Sequence, residues 1–315
     1  VVLFCVCLFI SLRLLYGADT GILFPGHTTT ELLLFASGLT LLYIVGVADD
    51  LVGVRYRKKF LVQLLSALML PLSGLYINNF YGLFGIYAVS PFFGIPLTLL
   101  LVVFITNAIN LIDGIDGLAS GLSMVALAVF GALFVYTGLW VYGLVSFVTI
   151  GVLIPFFSYN VFGKAERGRK IFMGDTGSLM LGYLLSLLTV KYCMFTGSSP
   201  SDASGSPVLV AFSVLMIPSL DVVRVVLRRV RKGKNPFLPD KTHIHHKFLA
   251  MGFTPRTAMV TLLLMSACFC VLNLFLADCM DNTLLFVIDI VVWTLLNVWF
   301  DVRIRRKTQD GVECG

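Results

Sequence analysis

The chain has 315 residues, of which 58% are hydrophobic and 13% are charged, with a formal net charge of +6. Soluble globular domains have about a quarter of their residues charged, so this composition and a mean hydropathy of +0.95 exclude a soluble protein. The basic residues lie around apolar segments, which argues against nucleic acid as a partner and for an integral membrane protein.

Ten apolar stretches are long enough, or nearly so, to cross a hydrocarbon core of about 30 Å. We therefore predict an all-α, polytopic membrane helix bundle of about ten transmembrane helices, without a soluble domain or internal repeat. The predicted spans are 1–16, 32–47, 61–77, 92–109, 118–137, 139–158, 177–194, 207–226, 257–276 and 283–300.

The distribution of Lys and Arg predicts the orientation of these spans. Of the 23 basic residues, 21 lie in alternate loops or in the C-terminal segment, and only Arg13 and Lys191 lie at the opposite ends of spans. The basic loops and the C-terminus are therefore predicted to be cytoplasmic.

A pair of adjacent acids, Asp49 and Asp50, closes the second predicted span. Neighbouring carboxylates at the end of an apolar helix repel each other and lose solvation, so we expect a raised pKa or a bound cation. The pair suits a general base or a metal ligand. The alternative is a solvated helix end beside the basic residues 55–59.

The stretch from Asn107 to Gly121 places Asp113 and Asp116 among glycines, between two long apolar runs. Their spacing of three puts both carboxylates on one side of a helical turn, or lets both reach one cation. The glycines allow the backbone to bend and to approach a ligand. A simple glycine-rich turn is the alternative.

The segment Phe172-Met-Gly-Asp-Thr-Gly-Ser178 precedes the seventh predicted span. Free N–H groups at a helix start are suited to phosphate, and Asp175 can hold the Mg²⁺ that accompanies it. A helix cap by Asp175 or Thr176 is the competing explanation. It does not account for the glycines at 174 and 177.

Three of the four histidines form the cluster His243-Ile-His-His246, in a basic loop after the eighth predicted span. The basic flanks and the lack of a nearby cysteine disfavour zinc, whereas binding of phosphate or sugar fits the cluster. A surface loop is the alternative. Of the other acids in predicted spans, Asp221 is interpreted as a structural ion pair with Arg224, and Asp289 has no assigned role.

All four polar motifs fall on the predicted cytoplasmic face. Carboxylates bind Mg²⁺, while glycine turns and basic residues bind phosphate. The combination indicates phosphoryl transfer, in which catalysis is mostly positioning and charge neutralisation by the metal. Because the site lies at the bilayer surface, one substrate is expected to be a lipid phosphate.

These motifs resemble those of the polyprenyl-phosphate N-acetylhexosamine-1-phosphate transferase family, glycosyltransferase family 4. The resemblance rests on Asp49-Asp50, Asn110–Ala119, Phe172–Ser178 and His243–His246 and covers essentially the whole chain. It implies a bacterial inner-membrane enzyme that joins the sugar 1-phosphate of a UDP-N-acetylhexosamine to a polyprenyl (undecaprenyl) phosphate and releases UMP. The resemblance leaves open whether the protein forms a homodimer.

The resemblance also implies roles for individual residues. Those for catalysis and metal binding are Asp49 and Asp50, which activate the lipid phosphate or assist the metal, and Asp175 with Asn110, which hold Mg²⁺ or Mn²⁺. Those for substrate binding are Lys59 at a phosphate, Asp113 and Asp116 at the nucleotide or metal, and His243, His245 and His246 at the phosphates and sugar.

The loop from Arg231 to Lys247 resembles the branch that uses UDP-N-acetylglucosamine to begin O-antigen, enterobacterial common antigen or teichoic acid synthesis. The peptidoglycan branch, which transfers phospho-MurNAc-pentapeptide, usually has three adjacent histidines, and Ile244 interrupts them here. Lys241 stands where the first branch more often has Arg, which loses bidentate geometry. Other UDP-sugars stay open, because one or two pocket side chains can change sugar choice.

Relatives carry another span and a basic loop before the segment corresponding to 1–16. We therefore expect residues 1–315 to form a single integral membrane transferase domain that lacks its first span and loop. The alternative from another class is a membrane transporter. A transporter is expected to have acids near the middle of the membrane and inverted repeats. In this sequence the acids cluster at one predicted face, and no repeat is detected.

Overall fold

The computed structural model describes residues 26–194, 206–233 and 242–313, without the side chains of 26–27 and 308–313. The predicted span 1–16, nearly all of the loop 195–206, and Lys241 lie outside these residues. Within them, the chain is helical, with one isolated β-bridge between Asn79 and Ala88. The α-helices are α1 (Gly26–Val52), α2 (Tyr56–Leu72), α3 (Pro91–Ile112), α4 (Leu118–Tyr136), α5 (Trp140–Phe162), α6 (Gly174–Cys193), α7 (Pro207–Val214), α8 (Met216–Arg231), α9 (Ile244–Ala250), α10 (Pro255–Leu276) and α11 (Asn282–Glu313).

Six of the described helices are long and apolar enough to span a membrane, and α7 with α8 makes a seventh candidate only as a pair bent by 75°. The protein is thus a polytopic helical membrane protein, which confirms the predicted class, while the count of ten spans stays a prediction. The six are Thr28–Val52, Pro91–Ile112, Leu118–Tyr136, Trp140–Phe162, Pro255–Leu276 and Asn282–Lys307.

Helix α6 lies at the centre of the bundle, where it packs against α1, α3, α4 and α7. Most of its side chains are buried, and because protein rather than lipid surrounds them, small and polar residues are tolerated. Glycines allow the close packing: a Cβ on Gly182 would lie 2.6 Å from the Cα of Thr106, and one on Gly46 would lie 2.5 Å from that of Thr176.

The predicted span 207–226 is broken at Leu215, between α7 and α8. Pro218 fits the first turn of α8, where its missing N–H costs no helical hydrogen bond. The last turn of α8 carries Arg228, Arg229 and Arg231, which are costly to bury in hydrocarbon. The bend therefore lets a basic helix leave the direction of α7. Asp221 of this helix contacts His243 of the histidine segment.

Polar contacts also join helices within the bundle. Near the end of the bundle opposite the acid motifs, Lys191 Nζ lies 2.9 and 2.7 Å from the two carboxylate oxygens of Glu31, which also accepts a hydrogen bond from Tyr142. Between α10 and α11, Asn273 donates to Asp289 over 2.8 Å. The second contact gives Asp289, which had no role from sequence, a structural partner.

Candidate active site

Lys59, in the first turn of α2, bridges acids from two other helices. Its Nζ lies 2.9 Å from Asp49 Oδ2, at the end of α1, and 2.6 Å from Asp175 Oδ2, at the start of α6. Asp49 also accepts the backbone N–H of Val54 over 2.6 Å, which fixes its other oxygen. Three sequence-predicted residues therefore meet around one ammonium group, although 116 positions separate Lys59 from Asp175.

Asp50 caps the N-terminus of α6. Its carboxylate accepts the backbone N–H groups of Asp175 and Thr176, over 2.8 and 3.1 Å, and the hydroxyl of Thr176 over 2.6 Å. A carboxylate at this position satisfies N–H groups that the helix itself leaves unpaired. The sequence predicted that the N–H groups at this helix start bind a substrate phosphate. In the structure, two of these N–H groups donate to Asp50 instead.

The approach of Asp50 depends on Gly174, whose φ is +64°. A Cβ there would lie 2.7 Å from Asp50 Oδ2. The motif around Asp175 thus needs this glycine both for its left-handed backbone and for the space that Asp50 fills.

Asn110, in the last turn of α3, orients Asp175. Its Nδ2 donates to Asp175 Oδ1 over 2.7 Å and lies 2.8 Å from Ser178 Oγ. Because the amide nitrogen faces the carboxylate, its carbonyl oxygen is left for another partner. The structure therefore places Asn110 beside Asp175, as the sequence predicted, and adds the orienting contact.

The turn after α3 holds the second pair of acids. Burial raises the pKa of Asp113 to about 6, with further contributions from the charges of Asp116 and Asp175. Asp116 instead forms an ion pair with Lys170, with 2.6 Å between Nζ and Oδ2. The two acids thus differ in environment although both belong to one motif.

Asn160, at the end of α5, connects this turn to the segment before α6, and sequence reasoning missed it. Its buried side chain accepts the backbone N–H of Gly117 over 2.6 Å and donates to the carbonyl of Ile171 over 2.7 Å. Gly117 has φ +79° and begins α4. An isolated Asn after an apolar run was the signal that could have identified it.

The ring of His245 packs directly on the turn at Gly114. A Cβ on Gly114 would lie 2.2 Å from His245 Nε2, so only glycine fits there. His245 is 2% exposed, yet neither ring nitrogen has a hydrogen-bond partner among the described residues. Burial lowers the pKa of His245 to about 4, with smaller contributions from His246 and His243, so at neutral pH the ring offers one donor and one acceptor.

His243 is held by Asp221 of α8. Its Nδ1 lies 2.8 Å from Asp221 Oδ2, and because a carboxylate only accepts, Nδ1 donates and Nε2 is left for a ligand. The other oxygen of Asp221 accepts from Arg224 over 2.6 Å and from the backbone N–H of Ile244 over 3.0 Å. The predicted Asp221–Arg224 pair is confirmed, and Asp221 in addition positions the histidine segment.

The donor set fits Mg²⁺ better than a transition metal. Within the described residues, no three His, Cys, Asp or Glu side chains form a preassembled metal cluster. Mg²⁺ does not need one, because it is commonly bound by one or two carboxylates together with substrate phosphates and water. Asp175 and Asp49 already share one cation, the Lys59 ammonium, and the oxygen of Asn110 adds a neutral ligand of the right type.

The sequence profile of glycosyl transferase family 4 matches residues 32–193, which include the acids at 49, 50, 113, 116 and 175. The probable undecaprenyl-phosphate N-acetylglucosaminyl 1-phosphate transferase of Bacillus subtilis (strain 168) is 33% identical over 90% of this chain and 76% of its own length. The undecaprenyl-phosphate alpha-N-acetylglucosaminyl 1-phosphate transferases of Yersinia pestis and Escherichia coli (strain K12) are 35% and 34% identical. These matches cover 72% of this chain but only 61% and 60% of the two relatives.

Proposed function

This chain belongs to glycosyl transferase family 4, and from that premise we propose that it transfers N-acetylglucosamine 1-phosphate from UDP-N-acetylglucosamine to undecaprenyl phosphate. The products are UMP and a lipid-linked pyrophosphate sugar. The relatives are named as N-acetylglucosaminyl 1-phosphate transferases that act on undecaprenyl phosphate, which supports this choice of sugar and lipid. The observation that carries the proposal is the meeting of Asp49, Lys59 and Asp175, from three helices, at one point of the bundle.

The acid cluster is proposed to bind the phosphates of both substrates. Asp175 and Asn110 are proposed to hold Mg²⁺, or Mn²⁺, whose chemistry at this point is neutralisation of the diphosphate charge. Lys59 contacts a phosphate, and Asp49 beside it orients the acceptor phosphate or assists the metal. Asp50 acts mainly on the protein, because its carboxylate holds the start of α6 and thereby places Asp175.

The histidine segment and the turn at 113–116 are proposed to bind the nucleotide sugar. Three features support this: the unpaired nitrogens of buried His245, the Nε2 left on His243, and the position of His245 on Gly114. Asp113 and Asp116 lie in the same turn as Gly114. His246, whose ring centre lies 4.2 Å from that of His245, is proposed to contact a phosphate or the sugar.

The site is proposed to face the cytoplasm of a bacterial cell, where UDP-sugars are found. The support is the charge distribution, since the basic residues at 55–59, 164–170 and 224–256 lie in the same set of loops as the acid and histidine motifs. The positive-inside rule assigns such loops to the cytoplasm.

The substrate is tested by measuring release of UMP by the purified protein with undecaprenyl phosphate and Mg²⁺. UDP-N-acetylglucosamine, UDP-N-acetylgalactosamine and UDP-MurNAc-pentapeptide are supplied separately, each with and without the lipid and with and without EDTA. We expect lipid-dependent and EDTA-sensitive release from UDP-N-acetylglucosamine alone. Release from UDP-MurNAc-pentapeptide alone would contradict the proposal and assign the protein to peptidoglycan synthesis.

A further inference from the structure

A cavity lies away from the acid cluster, between α10 and α11. Its volume is about 440 Å³, within the range of about 300–1,000 Å³ for small-molecule sites. The lining positions recur at each helical turn, at 261, 265, 268, 269 and 272 on α10 and at 292, 296, 299, 300 and 303 on α11. One face of each helix therefore forms a wall, and Phe248, Met251 and Phe253 complete the lining. We call this cavity the hairpin groove.

The hairpin groove is open to the surrounding membrane. Leu272 is 50% exposed, and Trp299 is 51% exposed. One end lies about one turn from the hydrogen bond between Asn273 and Asp289, which ties the two helices together. Positions 261 and 272 of α10 are eleven residues apart, which corresponds to about 16 Å along the groove. This length is suited to an extended acyl chain rather than to a compact ligand.

The other end of the groove carries a positive charge. Exposed Arg303 lines it, with its guanidinium 5.3 Å from the centre of the Trp299 ring, and Arg305, Arg306 and Lys307 follow. An indole beside arginine is typical of the membrane interface, and a guanidinium binds phosphate in bidentate fashion. The hairpin groove thus has apolar walls along its length and a basic end that can bind an anion.

The hairpin groove also supports the helix that carries the histidines. Phe248, three residues after His245 on α9, lines the groove and packs on Phe300 with 5.0 Å between ring centres. Nearby, Lys247 is paired with Asp301 over 2.8 Å. A molecule in the groove would therefore contact the element that holds His245 on Gly114.

We infer that the hairpin groove binds one anionic phospholipid, with an acyl chain between α10 and α11 and its phosphate at Arg303. The bound lipid stabilises α9 and through it the histidine segment. Lipid binding itself does not depend on the proposed reaction. The functional consequence of stabilising the histidines does rest on the proposed function.

The test measures lipid retained by the detergent-solubilised protein, using native mass spectrometry after addition of phosphatidylglycerol or phosphatidylcholine. We expect one tightly retained phosphatidylglycerol per chain and about tenfold weaker retention in Arg303→Gln, as expected for loss of one charge-assisted contact. Arg305→Gln is the matched control, since Arg305 is also exposed but does not line the groove, and it should retain lipid like the wild type.

Alkylation of cysteine provides a second readout. Cys268 lines the groove and Cys279, in the turn after α10, does not, and both are exposed. Phosphatidylglycerol should slow maleimide modification of Cys268 but not of Cys279. Equal retention by the two arginine variants, equal retention of both phospholipids, or one-for-one displacement by undecaprenyl phosphate would overturn the inference. No step of the test requires turnover, so it is independent of the proposed function.

Discussion

At the scale of single residues, the candidate site is a set of acids whose partners differ. Asp49 and Asp175 share Lys59, Asp50 caps α6, and Asp116 pairs with Lys170. Asp113 is partly buried, and its loss of solvation, together with the nearby charges of Asp116 and Asp175, raises its pKa. Acids that look alike in the sequence therefore have different partners in the structure. A substitution at each acid should affect activity or stability in a different way.

Asp175→Asn should abolish turnover, because the amide cannot replace a carboxylate at the metal and meets Lys59 without an opposite charge. We expect a loss on the order of a thousandfold, since metal neutralisation is worth several kcal/mol. The thermal midpoint in detergent should change little. Asp278→Asn, at an exposed acid in the turn after α10, is the control, and wild-type activity in Asp175→Asn would remove Asp175 from the mechanism.

His245 should make stability depend on pH. Its pKa is about 6.5 when unfolded and about 4 in the buried site, so between these values the unfolded chain takes up a proton that the folded chain does not. The free energy of unfolding should therefore fall as pH falls from 6.5 to 4, by about 3 kcal/mol in full.

His245→Gln should remove this contribution, so its thermal midpoint should change less than that of the wild type between pH 7.5 and pH 5. The comparison is made in one detergent and without metal. The same pH dependence in both proteins would show that His245 is not buried in its neutral form.

The sequence predicted the polar residues that stand alone between apolar runs, and missed those whose role depends on folding. Asp175 is conspicuous because it stands directly before an apolar run, and the histidines are conspicuous because three of them lie within four positions. Asn160 is a single amide after an apolar run, and its contacts with Gly117 and Ile171 arise only when α5 packs beside α4. The contact of Asp221 with His243 likewise joins residues 22 positions apart, which periodicity cannot predict.

At the scale of elements, the site depends on close contacts at glycines. Gly46 and Gly182 allow α1 and α3 to approach α6, and Gly114 allows α9 to rest on the turn after α3. The first two position acids on neighbouring helices, whereas the third positions a histidine. Helix positions were predictable from hydropathy, but the break at Leu215 was not, because both halves are apolar at their junction.

Gly114→Ala should reduce activity by at least about tenfold while the bundle remains folded. The added Cβ would lie 2.2 Å from His245 Nε2, and a ring displaced by about 1 Å can cost a hundredfold in rate. Gly151→Ala is the matched control, since a Cβ on Gly151 of α5 meets nothing within 4 Å. Equal activity in the two variants would show that the contact between α9 and the turn is dispensable.

At the scale of the whole molecule, polar chemistry and positive charge lie at the same end of the bundle. The acids, the histidines and the basic loops share that end, while the Glu31–Lys191 pair lies toward the other. Composition and the positive-inside rule were enough to predict a polytopic protein with this asymmetry. They could not predict that α6, most of whose side chains are buried, would lie at the centre of the bundle against α1, α3, α4 and α7.

Cys279 should be accessible only from outside the cell. It lies in the turn between α10 and α11, at the end of α10 opposite the histidine segment. In spheroplasts, a variant that keeps only this cysteine should react with a membrane-impermeant maleimide. A variant with a single cysteine in place of exposed Arg167 should react only after lysis, and the reverse pattern would invert the proposed orientation.

In the proposed reaction, an oxygen of the lipid phosphate forms a bond to the β-phosphorus of the nucleotide sugar. The bond from that phosphorus to the bridging oxygen breaks, so UMP leaves with the bridging oxygen and the β-phosphate travels with the sugar to the lipid. The measurement is the fate of ³²P at the β position of UDP-N-acetylglucosamine, incubated with the purified protein, undecaprenyl phosphate and Mg²⁺. We predict that the label enters the lipid extract in equal amount to the unlabelled UMP formed. Labelled UDP left in the aqueous phase beside a sugar-bearing lipid would contradict the account, because the protein would then transfer the sugar alone.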